Sequence, residues 1–235
     1  MTTAPVGYNA ASTSLSQILG RTASYLAQPT LSLLTLLHYF GEMQDWSDTL
    51  PEALRRNNLS SPSQLRAINF LHLRWLDAVM VATRPFLASL ARFGVTALST
   101  RLRNFFNFCA NVASITARET LSLMRLMESQ GLIKGLTAFD RHFLVQSAGI
   151  LALSAVVQLG KRDERTRFRE CIEMLLRLPG GRFGYLIRDM RAVETKLDRF
   201  AVFKAAKSPY STPDPQSTDA IGMQRIFLIH RGYRR

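Results

Sequence analysis

The residues able to do chemistry are few, and their spacing points away from catalysis. Asp140 and His142 could form a carboxylate and imidazole pair, but they stand two positions apart, and such positions do not share a helix face. That geometry favours His142 as a core or interface histidine over a metal ligand or acid–base group. Arg84 directly precedes Pro85. It could pair with a carboxylate, cap the carbonyl that proline leaves unpaired, or contact a ligand; the structural roles are favoured because a proline inside a helix requires such repair. The two cysteines, Cys109 and Cys171, are too few for a disulfide framework or for a zinc site without histidine help, and suit a reducing compartment. Phe105, Phe106, Phe108, Phe139 and Phe143 read as core packing before cofactor pocket. No dinucleotide fingerprint, phosphate loop, zinc-protease helix, serine-nucleophile elbow or aspartate-rich metal motif occurs. The chain is therefore not expected to be an enzyme, and it offers no catalytic, cofactor-binding or metal residues.

Charge supplies the second strand of chemistry. The 235 residues carry a formal net charge of +13, with 25 arginines against 5 lysines. Guanidinium gives a planar, bidentate donor fork suited to carboxylate or phosphate. The excess is uneven, at −1 for residues 1–62, +6 for 63–160 and +8 for 161–235. The runs KRDERTRFR, Lys161 to Arg169, and the closing RGYRR could meet nucleic acid or an import receptor. Acidic residues interrupt the first and no aromatic ladder accompanies it, so a solvated helix face is the reading taken.

The elements that must position these residues read as helices. An apolar content of 47% is that of a normal globular core. Residues 13–27 and 30–40 look helical, broken at Pro29. In QDWSDTLPEAL, Pro51 fits a first helical turn. Ser61, Pro62 and Gln64 form a helix start, after which Leu65, Ile68, Leu71, Trp75 and Val79 hold one apolar face. Pro85 should kink or restart that helix between Thr83 and Leu87. A long helix over about 97–129 follows from Leu98, Leu102, Phe105, Cys109, Val112, Leu123 and Leu126, closed by Gly131. Thr137 and Asp140 have the spacing of a capped start for the next helix, which ends near Gly160. Asp163 can cap a helix running to Leu178, before Pro179-Gly180-Gly181. A last helix covers about 183–205, with Phe183, Leu186, Met190, Val193, Leu197 and Phe200 on one face.

The fold class is thus all-α, a multi-helix bundle over residues 13–205. Residues 1–12 are expected to be a flexible N-terminus. Residues 206–235 are set aside as a proline and serine linker with an irregular basic tail. Two uncharged stretches, Thr22 to Gly41 and Phe143 to Gly160, mimic membrane spans, but both are short and polar for their length. Buried core helices explain them better. The remaining expectation is that the apolar segments 74–93 and 137–160 meet inside one bundle.

The order LHLRW (Leu71 to Trp75), TRPFL (Thr83 to Leu87), a long amphipathic helix ending in Gly131-Leu132, and AFDRHFLVQSA (Ala138 to Ala148) resembles the fungal-specific transcription factor domain. That domain is the middle homology region of fungal binuclear zinc cluster regulators. The likeness begins near residue 15, where QILGRTASYL and Trp46 with Leu50-Pro51 fit its loose pattern, and runs to about 205. Its motif residues here are Arg84, Pro85, Phe86, Leu87, Phe139, Asp140, His142 and Phe143, read as structural. The chain departs from the family pattern in lacking the six-cysteine cluster that holds two zinc ions. It also carries Pro179-Gly180-Gly181-Arg182 where a Gly-Asn step is usual, and lacks the further helices that usually come before this portion. The resemblance implies the C-terminal portion of a nuclear regulator of transcription, contacting no DNA directly. Zinc would enter only with a separate cluster segment. The partners it implies are the transcription machinery or regulatory proteins, a second copy of the chain, and a small-molecule effector. The alternative is a membrane-associated helical protein with a span near 143–160.

Overall fold

The computed structural model describes residues 5–55, 61–93, 98–133, 140–157, 162–178 and 184–207. These residues form an all-α bundle of seven α-helices with no strand among them: α1 (Tyr8–Leu26), α2 (Leu33–Asp48), α3 (Pro62–Phe93), α4 (Thr100–Ser129), α5 (His142–Val157), α6 (Arg162–Arg177) and α7 (Gly184–Lys207), plus a 3-10 turn at Glu52–Leu54. The long pair α3 and α4 pack on each other and separate two apolar cores.

One core lies under α1 and α2. Leu15, Ile18, Phe40, Met43, Trp46 and Leu54 pack there against Ile68, Leu71, Val79 and Phe86 of α3 and Phe105, Cys109 and Val112 of α4. Two indoles tie it to backbone, as Trp46 donates to the Ala11 carbonyl at 3.0 Å and Trp75 to that of Met43 at 3.0 Å. The other core takes Leu73, Met80, Leu87 and Leu90 of α3, Leu121, Met124 and Met127 of α4, and the inner faces of α5, α6 and α7. Helix α5 contacts α3, α4, α6 and α7, and its Leu144, Ala148, Ile150 and Leu151 are buried. The two charge-poor segments therefore meet inside the bundle. No helix among the described residues is long and apolar enough to cross a membrane.

Local chemistry explains the helix ends. Ser61, Pro62 and Gln64 start α3, with the Gln64 side chain accepting from the Ser61 N–H at 3.3 Å. Gly131, at φ 67°, ends α4 while its N–H donates to Glu128 at 3.0 Å and the Leu132 N–H to Met127 at 2.8 Å. That double bond pattern satisfies two terminal carbonyls and requires a left-handed residue.

Several expectations are corrected. Pro85 does not interrupt its helix, since α3 continues through it to Phe93. Packing on α4 and α5 holds the helix on both sides of the lost N–H. Pro51 precedes a 3-10 turn, and Trp46 belongs to α2. Helix α1 begins at Tyr8 with Ala11 buried, so residues 8–12, expected in a flexible N-terminus, belong to the bundle. Helix α5 begins at His142, leaving Asp140 outside it; the Arg141 carbonyl accepts from Leu144 and Val145 in the first turn. Asp163 lies within the first turn of α6 instead of capping it. Leu102 and Leu126, placed on the apolar stripe of α4, are 42% and 40% exposed, and Val193 on the α7 face is 40% exposed. Thr137, Phe139, Gly160, residues 179–183 and the tail from 208 lie outside the described residues.

Candidate interaction seam between α3 and α5

Where α3 packs on α5, a row of partly exposed polar side chains joins the two helices. Helix α3 supplies Arg74, Asp77 and Arg84; helix α5 supplies His142 and Gln146. Spacings of three and seven residues on α3, and of four on α5, put each set along one side of its helix. Nε2 of His142 lies 3.5 Å from Oδ1 of Asp77. The Gln146 amide nitrogen is 3.4 Å from the same imidazole nitrogen, while its carbonyl oxygen accepts from Arg84 Nη1 at 3.0 Å. Arg74 continues the line to α1, donating to Ser16 at 2.7 Å and to Ser12. Burial raises the Asp77 carboxyl above its ordinary value, against the opposing pull of His142 and then Arg74.

The sequence-expected residues divide among this seam and the cores. Arg84 contacts the Gln146 amide, so its described partner is neither a carboxylate nor the helix backbone. Phe86 meets Phe105 and Phe106 edge-on, each at a centroid distance of 5.2 Å. Leu87 and Phe143 are buried in the other core. His142 reaches Asp77, and because Asp140 precedes α5 the helix-face argument from spacing does not apply to Asp140 and His142. The contact exceeds hydrogen-bond length, and among the described residues no set of three or more His, Cys, Asp and Glu could hold a metal ion. Such an arrangement can orient two helices and respond to charge.

Sequence reasoning missed a second polar centre. The Glu164 side chain, on the basic run read as solvated, is wholly buried and accepts from Arg118 Nη2 at 2.6 Å. Ser114 Oγ lies 3.3 Å from the same carboxylate oxygen and 2.7 Å from Ser154 Oγ. Serines 114 and 154 sit among the apolar positions of α4 and α5, and that interruption was the available signal. Three cations of α6, Arg165, Arg169 and Arg177, also meet carboxylates. Arg169 donates to Glu194 and Asp198, each at 2.6 Å, Arg125 of α4 pairs with Glu170 at 2.8 Å, and Arg177 forms a fork on Glu128 at 3.0 and 3.1 Å. Within the run, Glu164, Arg165 and Arg169 are thus held by the fold, which corrects its reading as a solvated face at those residues, while Asp163 and Thr166 are exposed and Lys161 and the Arg162 side chain lie outside the described residues. These bonds raise Arg169 and Arg177 and hold Glu128 below its ordinary value.

Both cysteines are buried and free. Burial raises each thiol, Cys171 to about 12 with Glu170 adding to the effect, so neither is a thiolate nucleophile near neutral pH. Two open grooves of about 520 and 290 Å³ share Gln17 and Arg21 on the α1 and α2 side, away from the seam. Comparison with protein-family models, curated proteins and solved structures finds no match to this chain.

Proposed function

We propose that this chain is a regulatory and interaction region of a fungal transcription regulator, acting in RNA polymerase II gene control in the nucleus. The observation that supports the reading is the meeting of the two motif segments. The residues around TRPFL and HFL, 58 positions apart at Arg84 and His142, lie on packed helices and are bridged by Gln146. Two stretches of the chain that carry the resemblance therefore belong to one physical unit. In that role the bundle restrains or releases an activation surface through contacts with the transcription machinery or regulatory proteins, with a second copy of the chain or a small-molecule effector as further partners. DNA is not contacted directly by this chain, and zinc enters only with a separate cluster segment.

The test tethers the whole chain beside a reporter promoter through an unrelated DNA-binding domain and activation segment. Reporter output is expected to fall, and the fall to be relieved when residues 65–160 are deleted. Output identical with and without the chain, at equal protein levels, would sink the proposal.

A further inference from the structure

The arginines fall into two populations. Arg118, Arg125, Arg165, Arg169, Arg177 and Arg191 each lie within ion-pair distance of a carboxylate, so these six spend their charge on the fold. Between Asp77 and Glu119, in contrast, the chain has no acidic residue and, ahead of the paired Arg118, carries Arg84, Arg92, Arg101 and Arg103. Arg84 is taken by Gln146, and Arg103 donates to the Leu98 carbonyl at 3.4 Å. Arg92 and Arg101 are exposed, and no described carboxylate lies within ion-pair distance of either.

These two arginines stand at one end of the α3 and α4 pair. The contacts of Phe86 with Phe105 and Phe106 fix the register. At 1.5 Å per residue, Arg92 and Phe93 then lie roughly 10 Å further on, level with the start of α4 where Arg101 and Leu102 stand. Arg101 in the first turn of α4 opposes the helix dipole, so helix stability does not account for it. Phe93 is 65% exposed, and the Arg92 guanidinium sits 5.1 Å from the centre of its ring. Leu102 adds a second exposed apolar side chain.

We propose that Arg92, Phe93, Arg101 and Leu102 form a docking surface for a protein partner that presents carboxylates beside apolar side chains. Charge complementarity selects the carboxylates, because a guanidinium grips them through two parallel bonds. The exposed ring and leucine select the apolar part, since an aromatic anchor flanked by arginine concentrates binding energy. A nucleic acid would need a longer track of cations than two unpaired arginines provide. The surface is read from charge and exposure alone and stands apart from the regulator reading.

The full chain is titrated with a short synthetic peptide of alternating glutamate and leucine at about 0.15 M salt. Parallel titrations use polyglutamate, phosphatidylserine vesicles and single-stranded DNA. Binding of the peptide is expected, with affinity roughly tenfold lower in Arg92→Glu/Arg101→Glu and reduced in Phe93→Ser. Arg92→Gln/Arg101→Gln provides the milder variant should charge reversal disturb folding, checked by circular dichroism. No binding, or binding equal in all variants, overturns the proposal. So does equal affinity for polyglutamate, which would leave Phe93 and Leu102 without a role, or tighter binding of vesicles or DNA.

Discussion

Nε2 of His142 stands 3.5 Å from Oδ1 of Asp77, joining α5 to α3 across 65 positions of sequence. Burial raises the Asp77 carboxyl, so its ionised form costs folding free energy. The benefit of Asp77 as a protonated group is present below its unfolded value, near 3.8, and is lost as pH rises through its higher folded value. Wild type should therefore gain stability relative to Asp77→Asn as pH falls through that window. Urea unfolding of both proteins at several acid pH values measures the difference; a gap independent of pH would exclude this account.

Glu128 behaves in the opposite sense. Its hydrogen bonds from Arg177 lower its pKa, so its contribution is present above the ordinary value of 4.5 and fades as pH drops through the folded one. Both partners are partly exposed, so Glu128→Gln should cost only about 0.5 kcal/mol at neutral pH. The deficit should vanish in strong acid, as read from paired unfolding curves.

Glu164 carries a larger effect because it has no access to water. Arg118→Ala strands that carboxylate and should destabilise the fold by about 3 kcal/mol. Adding Glu164→Leu should recover part of the loss, since the uncompensated charge disappears. A double-mutant cycle by denaturant unfolding checks this, and simple additivity would contradict it.

The packing of α5 is tested at Leu151, fully buried beside α3, α4 and α6. Leu151→Ala should cost about 2–5 kcal/mol. Val157→Ala, at the half-buried end of the same helix, should cost about 1 kcal/mol or less. Equal losses at the two positions would argue against the placement of α5.

Two glycines separate backbone strain from packing. An added Cβ meets no atom within 4 Å at Gly20 or Gly131, but only Gly131 has a positive φ, of 67°. Gly131→Ala should destabilise by about 1 kcal/mol. Gly20→Ala, inside α1, should stabilise by about 0.5–1 kcal/mol. Thermal unfolding reads both signs.

What was legible in the sequence was whatever depends on neighbours along the chain. The Ser61-Pro62-Gln64 start, the Gly131 stop and the apolar stripe of α3 follow from hydrogen-bond supply and periodicity, and the structure has them all. Relationships between distant helices were hidden. The spacing of Asp140 and His142 assumed a helix that in fact begins at His142, and only the crossing of α3 and α5 supplies Asp77. Likewise, Glu164 looks like one of many charges in KRDERTRFR until Ser114, Arg118 and Ser154 are brought around it. Pro85 deceived in the other direction, because its lost N–H is local whereas the packing that carries α3 through it is not.

The division of the interior by α3 and α4 has a consequence for how the molecule can open. Ile68, Leu71, Val79 and Phe86 look to one side of α3, while Leu73, Met80, Leu87 and Leu90 look to the other. Lifting α1 and α2 away would leave the wall between them and α5 still clad on its far side. Amide protons of α1 and α2 should consequently exchange with solvent in a step of lower free energy than those of α5, giving the chain a half-open form in which Phe40 and Trp46 are released while the Asp77 and His142 contact endures.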